Sequence, residues 1–337
     1  MRDGALQIDG LSKRYGHVTA LRDMTFEVRA GELFGFVGSN GAGKTTTMRI
    51  VLGVLTADAG EVRYDGQHLT IDTRRRIGYM PEERGLYPKM RVGEQLEYLA
   101  QLHGMTAAAA RAATRAWAER LAIAHRLGDD VQALSLGNQQ RAQLAAALVH
   151  DPTVLVLDEP FSGLDPIAVD VMSDVLRERA AAGVPTVLSS HQLDLVERLC
   201  DRVGIVSAGT MVAIGSVDEL RADGESVLVV DAPDAPAGWA DTLPGVQATR
   251  RDDHGRTELH LATGTDDQAI LRAALTTGPV REFAHRRPTL AQRFREVVTH
   301  QPPEAELPAR TRGRRRAIPT QLARGAGRPA PAEDGHA

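Results

Sequence analysis

At 337 residues the chain is long enough for one large domain and a smaller one, and its 42% hydrophobic and 25% charged residues are ordinary for a globular protein in water. A formal net charge of −4 gives no whole-protein case for nucleic-acid binding, and no apolar run approaches the length of a membrane span. The single cysteine, Cys200, cannot form an internal disulfide, and Met1-Arg2-Asp3-Gly4 leads straight into strand-like sequence with no room for a signal peptide, so the cytosol is the expected compartment.

In chain order, residues 6–8, 24–28 and 33–37 read as strands separated by turn-forming Gly10-Leu11-Ser12 and Arg29-Ala30-Gly31-Glu32. Between the first two stands Tyr15-Gly16, whose ring could stack on a flat base such as adenine; an exposed strand-edge aromatic is the alternative. The third strand runs into Gly38-Ser39-Asn40-Gly41-Ala42-Gly43-Lys44-Thr45-Thr46, which fills the pattern G-x-x-x-x-G-K-[ST], a P-loop, and opens a helix over about 45–52. Its glycines let the backbone curl so that N–H groups point at the β- and γ-phosphates of a nucleotide, and Lys44 adds a point charge. Thr45 would place its hydroxyl on Mg²⁺, and the helix aims its positive end at the same phosphates. A glycine-rich turn without a ligand is the alternative.

Residues 60–66 read as a hairpin-like arm and 77–82 as a short strand-like piece ending in a loop with Glu82 and Glu83. Val92, Leu96, Leu99 and His103 recur at helical spacing, and the alanine-rich stretch 107–127 continues the helical pattern. Leu134-Ser135-Leu136-Gly137-Asn138-Gln139-Gln140-Arg141 opens a further helix with Ser135 as N-cap and Leu144 and Leu148 behind it. Residues 153–157 are apolar on both faces, the pattern of a strand in the centre of a parallel sheet. At its carboxyl end, where open α/β sheets bind ligands, stand Asp158 and Glu159. Two adjacent carboxylates there are costly unless a cation and a water need them, the alternative being two solvated acids. Asp158 is placed to hold Mg²⁺ through its water shell, and Glu159 to orient and deprotonate an attacking water, with Pro160 biasing Glu159 toward extended backbone. After the turn Ser162-Gly163-Leu164-Asp165-Pro166, a buried strand over 184–189 leads to His191, placed for a γ-phosphate contact.

From the P-loop to His191, these parts stand in the order and spacing of the ATP-binding subunit of ABC transporters, which the chain resembles over about residues 5–220. The resemblance implies an α/β fold: a P-loop NTPase core of the ABC ATPase type, an antiparallel β arm, and an inserted helical subdomain over about 85–150. It also implies an ATPase whose two copies, identical or sister subunits, close head to tail around two ATP molecules with Mg²⁺. Ser135 and Gly137 of one copy then meet the γ-phosphate bound by Lys44 of the other. Tyr15 resembles the adenine-stacking aromatic, Asp165 the residue linking the two sites, and His191 the switch histidine. Glu82 stands where the family usually has a glutamine that senses Mg²⁺ and passes movement to the membrane partner; a carboxylate can still ligate a cation. In the signature, Leu136 replaces the first glycine and Asn138 the usual glutamine.

From Glu225 the character changes: residues 227–230, 257–261 and 280–283 look like strands and 267–275 and 290–298 like helices, a small C-terminal α+β domain. The expected division is an ATP-binding domain over 1–222, the accessory domain over 223–300, and a disordered Arg/Pro-rich tail over 301–337. That tail is a solvated arm or is drawn to anionic lipid heads. The accessory domain and Gly85-Leu86-Tyr87-Pro88 resemble the drug, antibiotic or sodium export subgroup. The resemblance thus implies a subunit docked on a separate polytopic membrane permease at the inner face of the cell membrane, with no specific nucleic acid. The alternative is a soluble ABC ATPase acting on ribosomes or DNA. One P-loop, and a stretch from Met90 to Leu134 too short for a long coiled coil, favour the transporter reading.

Overall fold

A computed structural model describes residues 4–299 apart from 84, 223–226, 253–254, 263 and 287–288; the tail expected to be disordered lies outside the described residues. The chain opens with strands β1 Leu6–Tyr15, β2 Val18–Val28 and β3 Leu33–Gly38, followed by helix α1 Lys44–Val51. Strands β4 Ala59–Tyr64 and β5 Gln67–His68, the short helix α2 Ile71–Arg74 and strand β6 Ile77–Met80 come next. Helices α3 Val92–Leu102, α4 Ala107–Arg120 and α5 Leu136–Leu148 precede β7 Val154–Leu157, α6 Pro166–Ala181, β8 Thr186–Ser190, α7 Leu193–Leu199, β9 Arg202–Ser207, β10 Thr210–Ser216 and α8 Val217–Ala222. The C-terminal part comprises β11 Val227–Asp231, β12 Val246–Arg251, β13 Thr257–Leu261, α9 Asp267–Thr277, β14 Glu282–Arg286 and α10 Leu290–Thr299.

A six-stranded sheet in the order β10-β9-β3-β8-β7-β6 carries the fold. Its strands from β9 to β6 are parallel and β10 is antiparallel to β9. Parallel strands end on one edge, so Gly38, Asp158, His191 and the Pro81-Glu82 loop share that edge although they are distant in sequence. The strand interiors follow the period of two. Val37, Leu155, Leu157 and Leu188 face one core with the helices, whereas Phe34, Phe36, Val154, Val156 and Val187 face a second core shared with α1 and the arm. In that second core Phe26 stacks on Phe34 with ring centroids 5.1 Å apart. β7 is buried along its length, as its apolar run demands, but it lies next to the edge strand β6 rather than in the middle of the sheet.

The arm is a second, antiparallel sheet in the order β2-β1-β4-β5. The expected turn at Gly10-Leu11-Ser12 is instead a bulge within β1: Gly10 takes φ 61 and the register with β2 shifts between Ile8 and Leu11. The shift puts Leu11 fully inside the core, which a turn would have exposed. The alanine-rich helix also stops short of the expected 127. α4 ends at Arg120, and left-handed Ala122, φ 54, turns the chain so that both Leu121 and Ile123 are completely buried.

In the C-terminal part a third sheet, β12-β13-β11-β14, packs Leu228, Val230 and Leu259 against Ile270 and Ala274 of α9. Its edge strand β12 was not anticipated, because Val-Gln-Ala-Thr-Arg-Arg has no alternation to read. β14 begins at Glu282, two residues later than the expected 280, since Glu282 is the residue that pairs with Asp231. α10 returns to the large part: Leu290 is fully buried, its N–H donates to Glu197 Oε2 on α7 at 3.2 Å, and Phe294 packs on the helical core. Arg221 of α8 pairs with the other oxygen of Glu197 at 2.9 Å.

Candidate functional site

The strand β3 delivers the P-loop because it is buried on both faces and can end only in a turn that leaves the sheet. Two glycines there are sterically required. Gly43 sits at φ 109 as the cap of α1, and a Cβ on it would meet Leu21 Cδ2 at 2.6 Å and Ala20 O at 2.9 Å. A Cβ on Gly38 would come within 3.1 Å of Ala42 Cβ and closer still to a β9 carbonyl. The N-terminus of α1 has neither a side-chain cap nor an acidic residue in its first turn. Its N–H groups and positive dipole end are thus directed to an external anion.

Lys44 is buried, and its ammonium donates to the carbonyls of Gly38 at 2.6 Å and Ser39 at 3.2 Å, bracing the loop from within. Burial holds this ammonium below its usual pKa range, while the carboxylates of Glu159, Asp158 and Glu82 act in the opposite direction. Residues 40–46, Glu82, Asp158 and Glu159 line one cavity of about 180 Å³. That is smaller than the ~300 Å³ or more of pockets that engulf a whole small molecule, so it suits a polyphosphate with the rest of the ligand outside.

Opposite the P-loop a chain of hydrogen bonds sets the carboxylates. Ser189, fully buried at the end of β8, donates its hydroxyl to Asp158 Oδ1 at 2.6 Å and accepts from the Glu159 N–H at 2.8 Å. His191 Nδ1 lies 2.8 Å from Glu159 Oε2 while its ring is largely exposed. Donation from Nδ1–H to the carboxylate leaves Nε2 on the open side, as an acceptor in the neutral ring or a second donor in the charged one. The sequence pointed to no role for Ser189; its only signal was a hydroxyl at the carboxyl end of a buried strand.

Glu159 does not have the extended backbone expected from Pro160: its φ is 51, in the left-handed region. A residue before proline is steered away from the right-handed helical region, and here the chain must also reverse immediately, with Ser162 N–H donating to Glu159 O at 3.2 Å. The left-handed well satisfies both demands at a cost of ~1–3 kcal/mol.

Among the described residues, the buried Asp158 Oδ2 at this site finds no hydrogen-bond partner. An unpaired carboxylate oxygen in such a place is expensive unless a cation or its water shell faces it. With Thr45 and Glu82 on the same cavity wall, the oxygen donor set fits a hard divalent cation such as Mg²⁺. Burial raises the Tyr79 phenol above its ordinary pKa, with Asp158 and Glu82 adding to the rise and Arg49 opposing it.

The remaining expected site residues lie apart from the cavity wall. Tyr15 ends β1 at the hairpin tip, 48% exposed, with Lys13 Nζ 6.0 Å from its ring centroid. Ser135 caps α5, its hydroxyl accepting weakly from Asn138 N–H at 3.4 Å, and Gly137 follows in the first turn. Asp165 caps α6 through Ala168 N–H at 2.8 Å, leaving its second oxygen outside that bond.

Comparison with known proteins agrees with these parts. Residues 21–162 match the family model described as ABC transporter, and residues 215–298 match the model for the C-terminal domain of DrrA1-3-like ATP-binding proteins. The chain is 35% identical over 303 residues to the uncharacterized ABC transporter ATP-binding protein YhaQ of Bacillus subtilis, covering 87% of this chain and 98% of that protein. It is 36% identical to the Nod factor export ATP-binding protein I of Paraburkholderia xenovorans, covering 74% of this chain and 84% of that one. A solved structure described as the ATP binding subunit of an ABC transporter superposes with a TM-score of 0.60 at 31% identity, over 65% of this chain and 92% of that one.

Proposed function

The chain belongs to the ABC transporter family as an ATP-binding, ATP-hydrolysing subunit, and from that premise we propose that it powers export through a separate membrane permease. The observation that carries the catalytic part is the buried pair Asp158 and Glu159 facing the P-loop across one cavity. ATP binds with its phosphates on residues 38–46 and Lys44, and Tyr15 at the hairpin tip stacks on the adenine outside the cavity. Thr45, Asp158 and Glu82 hold Mg²⁺, which when bound offsets phosphate charge. Glu159 takes the proton of the attacking water and His191 contacts the γ-phosphate, so hydrolysis depends on the hydrogen bond that joins them.

A second ATP-binding subunit, a copy of this chain or a sister, completes each site with Ser135 and Gly137, and Asp165 communicates between the two sites. The exposed Leu136 and the capped start of α5 support a helix end that meets something outside this copy. Among the described residues no helix is long and apolar enough to cross a membrane, so the passage is assigned to the permease. The permease docks in the groove of about 530 Å³ lined by Tyr87, Pro88, Lys89, Met90 and Glu94. Tyr87 is 61% exposed there, five residues after Glu82, so one loop touches both cavity and groove. The Nod factor export relative supports export, a 32% identical linearmycin resistance ATP-binding protein of Bacillus subtilis supports drug or antibiotic cargo, and ionic cargo rests on the subgroup resemblance.

The test is purification of the full chain from detergent-solubilised membranes of its host, with identification of what accompanies it and assay of ATP hydrolysis. A stoichiometric polytopic membrane protein and ATP-dependent phosphate release are expected. Ribosomes or DNA-processing proteins in its place would overturn the transport reading, leaving the ATPase intact.

A further inference from the structure

Leu136 is the first residue of α5, beside the Ser135 cap, and it is 44% exposed. Its side chain rests on the turn that follows Glu159. A Cβ built on Gly163, which has φ 72, would lie 2.6 Å from Leu136 Cδ2, so the leucine methyl occupies the space where residue 163 has no side chain. Next to it, Leu164 Cδ2 and Ala168 Cβ each lie 3.8 Å from where a Cβ on Gly137 would stand. The turn is tied to the strand end at one side, where Ser162 N–H donates to Glu159 O, and to α6 at the other, where Asp165 caps the helix. From Glu159 to Ser135 the path within one copy is therefore a hydrogen-bonded turn, a bare glycine, a leucine methyl and a helix cap.

A leucine so exposed adds little to core burial, and a smaller residue would cap α5 equally well, since the cap is Ser135. Its distinctive contribution is the contact with Gly163. We propose that Leu136 is a positioning residue that makes the turn after Glu159 and the start of α5 move as one body. Because Glu159 serves the ATP bound by its own copy and Ser135 the ATP bound by the other, closure of one site sets the segment that completes the second. The inference rests on the two-copy reading above.

The experiment uses the full chain with Leu136→Ala, Leu136→Met, Gly163→Ala and the Leu136→Ala/Gly163→Ala pair. Binding of a fluorescent ATP analogue and thermal midpoint are measured beside steady-state hydrolysis. ATP-dependent dimerisation is followed by light scattering in a Glu159→Gln background. Leu136→Ala is expected to bind the analogue like the parent and melt within a few degrees of it, yet to lose about tenfold in kcat and in dimer affinity, the usual size of coupling between sites. Leu136→Met, which restores the reach, recovers most of the loss. Gly163→Ala displaces the leucine methyl and also strains a backbone at φ 72, so its defect is larger with leucine at 136 than once residue 136 is alanine. Parent-like hydrolysis and dimerisation of Leu136→Ala, or defects that add in the pair, would overturn the inference while leaving two-copy closure standing. Absence of an ATP-dependent dimer even with Leu136 present would overturn that closure and the inference with it.

Discussion

Ser189→Ala removes a hydroxyl that serves two buried groups at once, the Asp158 carboxylate and the Glu159 N–H. Ser189 is fully buried and Asp158 nearly so, and Asp158 already leaves Oδ2 without a partner. Each buried group stripped of its bond costs ~1–3 kcal/mol, so the substitution should destabilise the nucleotide-free protein by about 2–6 kcal/mol. At roughly 2–4 °C per kcal/mol for a domain of 150–250 residues, the melting midpoint falls by about 4–24 °C. The loss is measured by urea unfolding of the free chain and again with Mg²⁺ and ATP, where a cation facing Asp158 should recover part of it. Hydrolysis should fall at least tenfold because Glu159 loses its backbone anchor, with KM for ATP little changed since the P-loop is untouched. A stability change below ~0.5 kcal/mol, as at an ordinary surface position, would refute the view that this hydroxyl organises the acidic pair.

Glu159→Gln should bind ATP yet hydrolyse it at least about tenfold more slowly, as read by phosphate release, and near-normal turnover would remove Glu159 from the role of base. Glu197→Ala deletes both the Arg221 ion pair and the acceptor for Leu290 N–H, so amide exchange at the start of α10 should quicken and stability fall by ~1–3 kcal/mol; unchanged exchange would mean that α10 is held by its apolar face alone. His150, stacked on His103 at 3.7 Å, has its pKa pushed down to about 4 from 6.5 by burial and by that second ring. The unfolded chain therefore takes up the proton first as pH falls: the contribution is intact above about 6.5 and is lost toward 4, costing about 2 kcal/mol between pH 7 and 5, and His150→Phe should flatten that slope in urea titrations.

The parts of the site that could be read in the sequence are those whose chemistry fixes residue type over a short span. The P-loop and Asp158-Glu159 are contiguous segments, and each stands after an apolar run that can only be a buried strand. What escaped reading depends on contacts between segments. Ser189 meets Asp158 from 31 positions away, and its neighbour Ser190 would have been an equally good choice on residue type alone. The bulge at Gly10 was hidden because Gly-Leu-Ser reads as a turn, and only pairing with both β2 and β4 keeps the strand going through it. β12 was hidden for the opposite reason: an exposed edge strand needs no apolar face, so its residues carry no period.

Glu159 shows why the local rule and the functional site part company. Left alone, a glutamate before proline would relax to extended backbone, and its left-handed conformation is worth ~1–3 kcal/mol of strain. Three contacts oppose that relaxation, each from a different segment: the N–H goes to Ser189 on β8, the carbonyl receives Ser162 from the turn, and the carboxylate meets His191 beyond the strand end. Contacts of ~1 kcal/mol each are together large enough to hold the strained form, but no one of them is. The orientation of the carboxylate is therefore a property of the three segments jointly. A shift of β8, of the 159–162 turn or of the His191 loop weakens the restraint on the same side chain. That makes the Glu159 carboxylate responsive to whatever moves those segments, and Leu136, which rests on the turn, and Glu197, on the helix after His191, are two of the contacts through which the rest of the molecule reaches them.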